Sequence, residues 1–404
     1  MRARVFGLLV AGVVLAGCGG GASAPGPSAV AASAPGSAAA SAKPAASTSA
    51  SAKPAASAAA AGSGAASAKP AGSAAATTAG SAAAANGQLT KISIGLLGSS
   101  SDGGIFIADE KGYFKDAGIQ QDVQRFQTLV DMVAPMAANQ LDIGAGAPAA
   151  GLYNAIGRDV NLKIVADKGD TRSAYWDFSA LVIRKDLIDS GKVKDYQDLK
   201  GLNLVASGKG NSPEVSLVGA LKKGGLTLSD VNYTNMGFPD MVTAIANKAI
   251  DGGIVIEPFI STIEAQGTGV RWKTNTDILG QNQQVAVIVY GPKILGNQDL
   301  ARRWMTAYVR GVRDYNDAFG PKKQGYDDAV KILAKDTTVK DPNVYAKMKP
   351  AGLDPDGKLD VNSLQSDINY YQSSGQLKAQ ADLSQLVDAS FQQAAVQQLG
   401  PYKE

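Results

Sequence analysis

From about Gln88 onward, short apolar runs alternate with stretches in which apolar positions return every three or four residues. The first pattern marks buried strands and the second amphipathic helices. Residues 91–97 read as a strand, 98–104 as a turn-rich loop and 105–114 as a helix. Residues 119–126 form a second strand. Thr128 can cap the next helix, with Asp131 three residues on as in a capping box. Strands at 141–145, 162–166 and 178–183 complete a first set. A second set follows: a strand at 202–206, a loop at 208–212, and a helix running through Leu221 to Gly224-Gly225, with Ser212 as its cap and Pro213 in its first position. Then come a strand at 231–235, a helix at 240–248 and a strand at 253–256. Residues 284–290 are a long apolar strand suited to returning to the first set. The remainder is mostly helical; Leu300, Trp304, Tyr308, Val312, Tyr315 and Phe319 form a stripe that core packing explains.

Such alternation predicts parallel sheets covered by helices, an α/β fold. About 315 residues exceed what one hydrophobic core usually serves, so two lobes are expected. An internal echo agrees. Met132-Val133 precedes Asp142 as Met241-Val242 precedes Asp251, each time through a helix and an Asn (Asn139, Asn247); a short apolar strand and a proline loop at Pro148 or Pro258 then follow the aspartate.

The N-terminus has another character. Arg2 and Arg4 precede an apolar run at 5–16, too short to span a bilayer core, which takes roughly 20 residues, but suited to a signal peptide. It ends in Leu15-Ala16-Gly17-Cys18, similar to the bacterial lipobox, in which the cysteine becomes the lipidated first mature residue. Cys18 is the only cysteine in the chain. Residues 19–87 are nearly all Ala, Ser, Gly and Pro, with SAKPAAS at 41–47 and 51–57 and SAKPAGS at 67–73. With little to bury, this stretch is expected to be a disordered linker. As a flexible coil it would reach roughly 40–50 Å.

Composition then removes whole classes of chemistry. The 404 residues contain no histidine, which excludes Ser-His-Asp triads, Cys-His dyads and His-ligated metals. One cysteine excludes an intrachain disulfide and a CxxC pair. No cofactor, metal site or catalytic residue is expected. The net charge is +3, but residues 1–87 hold five basic residues and no acid, leaving −2 for the rest. That body has no basic bias toward nucleic acid. The segment Gly208-Lys209-Gly210-Asn211-Ser212 is not a complete phosphate-loop motif.

The run Ile107-Ala108-Asp109-Glu110-Lys111-Gly112-Tyr113-Phe114-Lys115-Asp116-Ala117-Gly118 resembles a signature near the start of type II periplasmic binding proteins. The chain is most similar to the ABC-transporter solute-binding proteins of the nitrate, sulfonate and taurine group, the SsuA/THI5-like family. Residues 139–144, Asp198-Leu199-Lys200-Gly201, and Ile250-Asp251-Gly252-Gly253 followed by Glu257-Pro258 resemble further family steps in the right order. Asn139, where glycine is common, and the featureless loop at 145–148 depart from the pattern.

The resemblance implies two doubly wound lobes joined by two crossover strands, with a ligand in the cleft and hinge closure. The expected division is a lipoprotein signal at 1–18, the linker at 19–87, a first part of lobe 1 at 88–183, lobe 2 at 184–283, and the lobe 1 return strand with C-terminal helices at 284–404. It also implies a non-enzymatic, monomeric receptor, lipid-anchored on the extracytoplasmic face of a bacterial membrane, delivering a small molecule to an ABC permease. A tethered sensor of the same fold is the alternative. A thiamine-pyrimidine-synthase-like enzyme is disfavoured, because those proteins use a histidine and a cysteine-rich motif.

In open α/β sheets ligands sit beyond the carboxyl ends of the strands. The candidates are therefore Ser99, Ser100 and Ser101 for hydroxyls and amides, and Pro148 and Ser207 with Asn211 on facing loops. Thr128 and Ser212 lie at helix starts that favour an anion, or simply cap those helices. Trp176 beside Asp177 either stacks on a flat ligand or packs between lobes. Phe238 is a second possible wall. Lys209 and Arg172 are candidate cations, and Glu257 either accepts from a ligand or tethers the opposing lobe.

Overall fold

A computed structural model describes residues 88–378 and 381–403. The leader, the lipidated Cys18 and the linker expected over 1–87 lie outside the described residues. Lobe 1 begins with β1 (Thr90–Leu96), α1 (Gly103–Glu110), β2 (Ile119–Arg125), α2 (Val130–Ala137), β3 (Ile143–Gly146), α3 (Ala150–Ile156) and β4 (Lys163–Thr171). The chain then crosses to β5 (Ser179–Arg184), β6 (Asn203–Ala206), α4 (Ser212–Lys223), β7 (Asn232–Asn235), α5 (Phe238–Ala246), β8 (Gly252–Ile256), α6 (Phe259–Ala265) and β9 (Gly269–Thr274). It returns through β10 (Gln283–Tyr290) to α7 (Gln298–Phe319), α8 (Tyr326–Asp336), α9 (Pro342–Lys347), α10 (Val361–Ser373) and α11 (Ser390–Leu399).

The two five-stranded sheets have the same design: β2-β1-β3-β10-β4 and β7-β6-β8-β5-β9. Each is mixed rather than purely parallel. β10 runs antiparallel to β3 and β4, and β5 runs antiparallel to β8 and β9. The reason is topological: the strand that enters each sheet from the other lobe arrives from the opposite direction. The crossings lie side by side, with Asn282 N–H donating to Thr171 O at 2.9 Å. The fold is thus the expected pair of α/β lobes joined by two crossovers.

Differences from the sequence reading have local causes. The helix expected over 105–114 is broken at Gly112, whose φ of 78° belongs to the left-handed region; a second short helix, Tyr113–Asp116, follows. The strand Gly269–Thr274 escaped notice because its sequence, GVRWKT, has no apolar run. The α7 stripe is buried throughout. It crosses α1 closely: a Cβ on Gly104 would lie 2.6 Å from Val312 Cγ2, and one on Gly311 would lie 2.8 Å from Ala108 N.

Candidate functional site

Loops at the carboxyl ends of strands from both sheets meet between the lobes. Ser100 donates through its N–H (3.1 Å) and its hydroxyl (3.0 Å) to Glu257 O. Ala150 N–H donates to Gly210 O at 2.8 Å, and Ser212 N–H to Pro148 O at 3.3 Å. The Thr128 methyl faces Gly208, where a Cβ would lie 3.6 Å from it; the Gln127 amide abuts Gly237. Ser100, Thr128, Pro148, Asn211, Ser212 and Glu257 thus lie along one interlobe seam, with Ser99 beside Ser100.

What these residues offer a ligand differs from the expectation. Asp102 Oδ2 accepts the N–H groups of Gly98 (2.7 Å) and Ser99 (2.8 Å). Its Oδ1 is 2.7 Å from the ammonium of Lys168, and both side chains are buried. Lys168 Nζ also donates to Ser101 Oγ at 2.9 Å, and Ser101 Oγ lies 3.0 Å from Ser99 Oγ. The three serines are thus committed to a buried network that shapes the loop. Desolvating two charges is tolerable here because each finds its opposite and further hydrogen bonds. Sequence reasoning missed Asp102 and Lys168, since their pairing spans 66 residues.

The helix starts are also occupied. Thr128 and Asp131 form the expected reciprocal cap: Thr128 Oγ1 and N–H donate to Asp131 Oδ2 at 2.9 and 3.0 Å. At α4 the cap is Asn211 rather than Ser212. Asn211 Oδ1 accepts Glu214 N–H at 3.2 Å, Pro213 takes the second position, and Ser212 Oγ turns away to donate to Val285 O at 2.9 Å. Asn211 also donates to Ser207 Oγ at 3.0 Å. Lys209 stays exposed at the rim. A carboxylate of the protein already sits at each of these helix ends, where the free N–H groups favour negative charge.

Trp176, Asp177, Phe238 and Glu257 are engaged as well. The Trp176 ring lies under the Arg172 guanidinium at 5.0 Å and edge-on to Tyr175 at 5.2 Å. Arg172 itself is paired with Asp170 at 3.2 Å. Asp177 is buried in the crossover; Oδ2 accepts Thr276 N–H at 2.7 Å, which pins one crossing to the other. Phe238 is buried and stacked on Phe259. The Glu257 carboxylate, wholly buried, bonds Arg271 and accepts from Ser261 N–H and Oγ at 3.0 Å each. Burial pushes its pKa up, against the pull of Arg271.

Two openings flank the seam. One, of about 450 Å³, is lined by Leu97, Arg125, Phe126, Gln127, Pro239 and the segment 337–340. Arg125, Thr338 and Lys340 were not foreseen, because the C-terminal segment reaches the loop after β1 only through tertiary packing: Thr338 N–H donates to Gly98 O at 2.9 Å. The other, of about 590 Å³, holds Lys209, Asn154, Tyr370 and Gln376. Behind it the buried Glu214 accepts from Tyr233 (2.8 Å), Tyr370 (3.0 Å) and Gln376 (2.7 Å). Among the described residues, no group of three or more His, Cys, Asp or Glu is placed to hold a metal ion.

A family model described as NMT1/THI5 like matches residues 100–317. A relative from Brucella abortus (strain 2308), carrying the provisional name of a binding protein, is 29% identical over 231 residues, covering 57% of this chain and 67% of its own. The periplasmic nitrate-binding protein NrtA from Synechocystis PCC 6803 superposes with a TM-score of 0.63 at 14% identity, covering 77% of this chain and 89% of that one. The periplasmic aliphatic sulphonate binding protein SsuA from Escherichia coli gives a TM-score of 0.57 at 18% identity, covering 74% and 92%. At these identities the structural likeness is one of fold, and neither ligand carries over with it.

Proposed function

The chain belongs to the NMT1/THI5-like family, and from that premise we propose that it is an extracytoplasmic receptor that captures a small organic or oxoanionic solute between its lobes and delivers it unchanged to an ABC import permease. The observation that carries this reading is the facing of strand-end loops from two like-ordered sheets across one seam, with a cavity of about 450 Å³ opening on it. That volume suits a small ligand, whose pockets run to roughly 300–1,000 Å³.

In this reading residues 88–183 and 284–404 build lobe 1 and residues 184–283 build lobe 2. Ser99–Ser101, Thr128, Pro148, Ser207, Lys209, Asn211, Ser212 and Glu257 frame the ligand chamber. Trp176, Asp177 and Phe238 shape its hinge side and its lobe 2 wall. Cys18 carries the lipid, and residues 19–87 tether a monomeric body to the membrane surface.

The test is a thermal-shift screen of the mature chain against sulfonates, aromatic carboxylates, pyrimidines and inorganic oxoanions, followed by calorimetry and analysis of the recovered ligand. A receptor returns the ligand intact, and its affinity falls when Gln127 or Arg125 is truncated. Turnover of the ligand, or no ligand among these classes, overturns the reading. Separately, Cys18→Ser should abolish metabolic labelling with radiolabelled palmitate; a variant still labelled refutes the anchor.

A further inference from the structure

We propose a second binding site, distinct from the two openings that flank the seam, for a small aromatic anion. It is a cavity of about 390 Å³ enclosed by the first crossover, the turn between α7 and α8, and the end of α9. Its walls are Tyr175, Phe319, Tyr326 and Met348. Its charged groups are Lys323 and Lys349.

Tyr175 and Tyr326 present the open aromatic surface, backed by the buried Phe319 and Met348. Phe319 and Tyr326 pack edge to face with ring centroids 5.5 Å apart. Tyr175 is 48% exposed, although its hydroxyl is anchored on Phe319 O. The ring is therefore held by its hydroxyl and about half exposed. An exposed, fixed aromatic ring beside other aromatic rings is suited to stacking a further ring at small entropic cost.

The lining charge is one-sided; the Glu257 carboxylate, which accepts the Lys349 backbone N–H at 3.3 Å, is already paired with Arg271. Lys323 Nζ lies 5.8 Å from the Tyr175 centroid and 5.1 Å from that of Tyr326. It donates to Tyr175 Oη at 3.1 Å and to Phe319 O at 3.3 Å. Lys349 Nζ donates to Ala174 O at 2.8 Å. An ammonium has three donors, so Lys323 keeps one spare and Lys349 two. Among the described residues, neither ammonium has a carboxylate at ion-pair distance, whereas neighbouring Lys322 is paired with Asp317. A bound anion would supply the missing counter-charge, and a ring attached to it would fill the apolar part. A benzoate-like monoanion meets both demands. An inorganic oxoanion meets only the first.

The experiment uses the mature chain and benzoate, with benzenesulfonate, cyclohexanecarboxylate and benzylamine as comparison probes, read by calorimetry and saturation-transfer NMR. Benzoate and benzenesulfonate should bind at one site. Cyclohexanecarboxylate should bind several-fold more weakly, and benzylamine should not bind. Lys323→Met, an exposed change whose melting temperature is read alongside, should weaken benzoate about tenfold, and Tyr175→Ser about threefold to tenfold. Arg125→Met, at the seam, should leave it unchanged. The proposal is overturned if no saturable benzoate binding is seen at millimolar concentration. It is equally overturned if the Lys323 and Tyr175 variants bind as the parent does, or if Arg125→Met alone removes binding. Binding that Arg125→Met removes would place benzoate in the seam, so failure here leaves the receptor reading standing.

Discussion

Asp142 and Asp251 occupy the same place in the two lobes. Each carboxylate accepts a backbone N–H from the second strand in the order of its sheet, Ser93 of β1 at 2.9 Å and Asn203 of β6 at 2.8 Å, and each backbone N–H returns a bond to the carbonyl of that same residue. Each is also paired with a cation: Lys293 at 3.0 Å and Arg184 at 3.1 Å. The residue three positions earlier, Asn139 or Lys248, has a φ of 57° or 59°. The repeat is therefore a helix, a left-handed residue and an aspartate that locks the next strand into register. It also corrects the sequence alignment, in which Asn139 was matched to Asn247 rather than to Lys248.

Truncating either aspartate strands a partly buried strand N–H and its cation partner. Asp142→Ala and Asp251→Ala should each cost about 1–3 kcal/mol. Because the sites lie in different lobes with no shared partner, their costs should add. Chemical denaturation of the two single variants and the double variant checks this. A double variant no less stable than either single one would break the equivalence.

The hinge strand β4 carries a pH signal. Burial pushes Asp167 up to about 7, with Asp354 adding like-charge repulsion; burial and Asp167 push Asp170 well above the usual carboxylate range. A carboxyl whose folded pKa is raised binds more protons folded than unfolded. Its stabilisation is complete below its unfolded pKa, near 3.8, and is lost as pH rises through its folded value. For Asp167, stability should therefore decline between about pH 4 and pH 7, by up to about 1.4 kcal/mol per pH unit. Asp167→Asn should flatten that slope in urea titrations run across the window. A slope unchanged in the variant would assign the effect elsewhere.

How much of this was legible in the sequence depends on the range of the interaction. The alternation of strands and helices, the Thr128–Asp131 cap and the α7 stripe are written within a few residues of one another, and all are present. The strand directions at β5 and β10 depend on which lobe the chain arrives from, which periodicity does not record. The saturation of Ser101 depends on Lys168, that of Ser100 on Glu257, and the rim of the seam on Thr338 and Lys340. Such partners meet only after the lobes fold. The two glycines at the α1–α7 crossing read in sequence merely as weak helix positions, since closeness of approach is a property of the pair.

Trp176 separates packing from recognition. Its ring is covered by Arg172 and Tyr175, and the cluster lies on the first crossover. Trp176→Ala removes a large half-buried ring and should cost about 2–4 kcal/mol of stability, read as a lowered melting temperature without ligand. Ligand affinity lost at an unchanged melting temperature would instead assign the ring to the ligand chamber.

The tie at Glu214 bears on how the lobes part. Glu214 belongs to α4 of lobe 2, whereas Tyr370 and Gln376 lie on and just after α10, which packs on β10 of lobe 1. Opening the seam on this side must break both bonds and leave a buried carboxylate with only Tyr233 and the Gly210 N–H, donating at 3.2 Å, as partners. Hydrogen bonds to a charged acceptor are worth roughly 1.5–3 kcal/mol when fully buried. Tyr370 and Gln376 are partly exposed, so about 1–2 kcal/mol for the pair is the better expectation. Tyr370→Phe combined with Gln376→Leu keeps the packing and removes both donors. That double variant should populate a more open arrangement, measured as a longer distance between spin labels placed on exposed positions of the two lobes. It should also weaken the captured solute, because closure loses part of its driving force. An unchanged distance distribution would mean that the seam contacts at Ser100 and Ala150 hold the lobes together without help from the C-terminal helix.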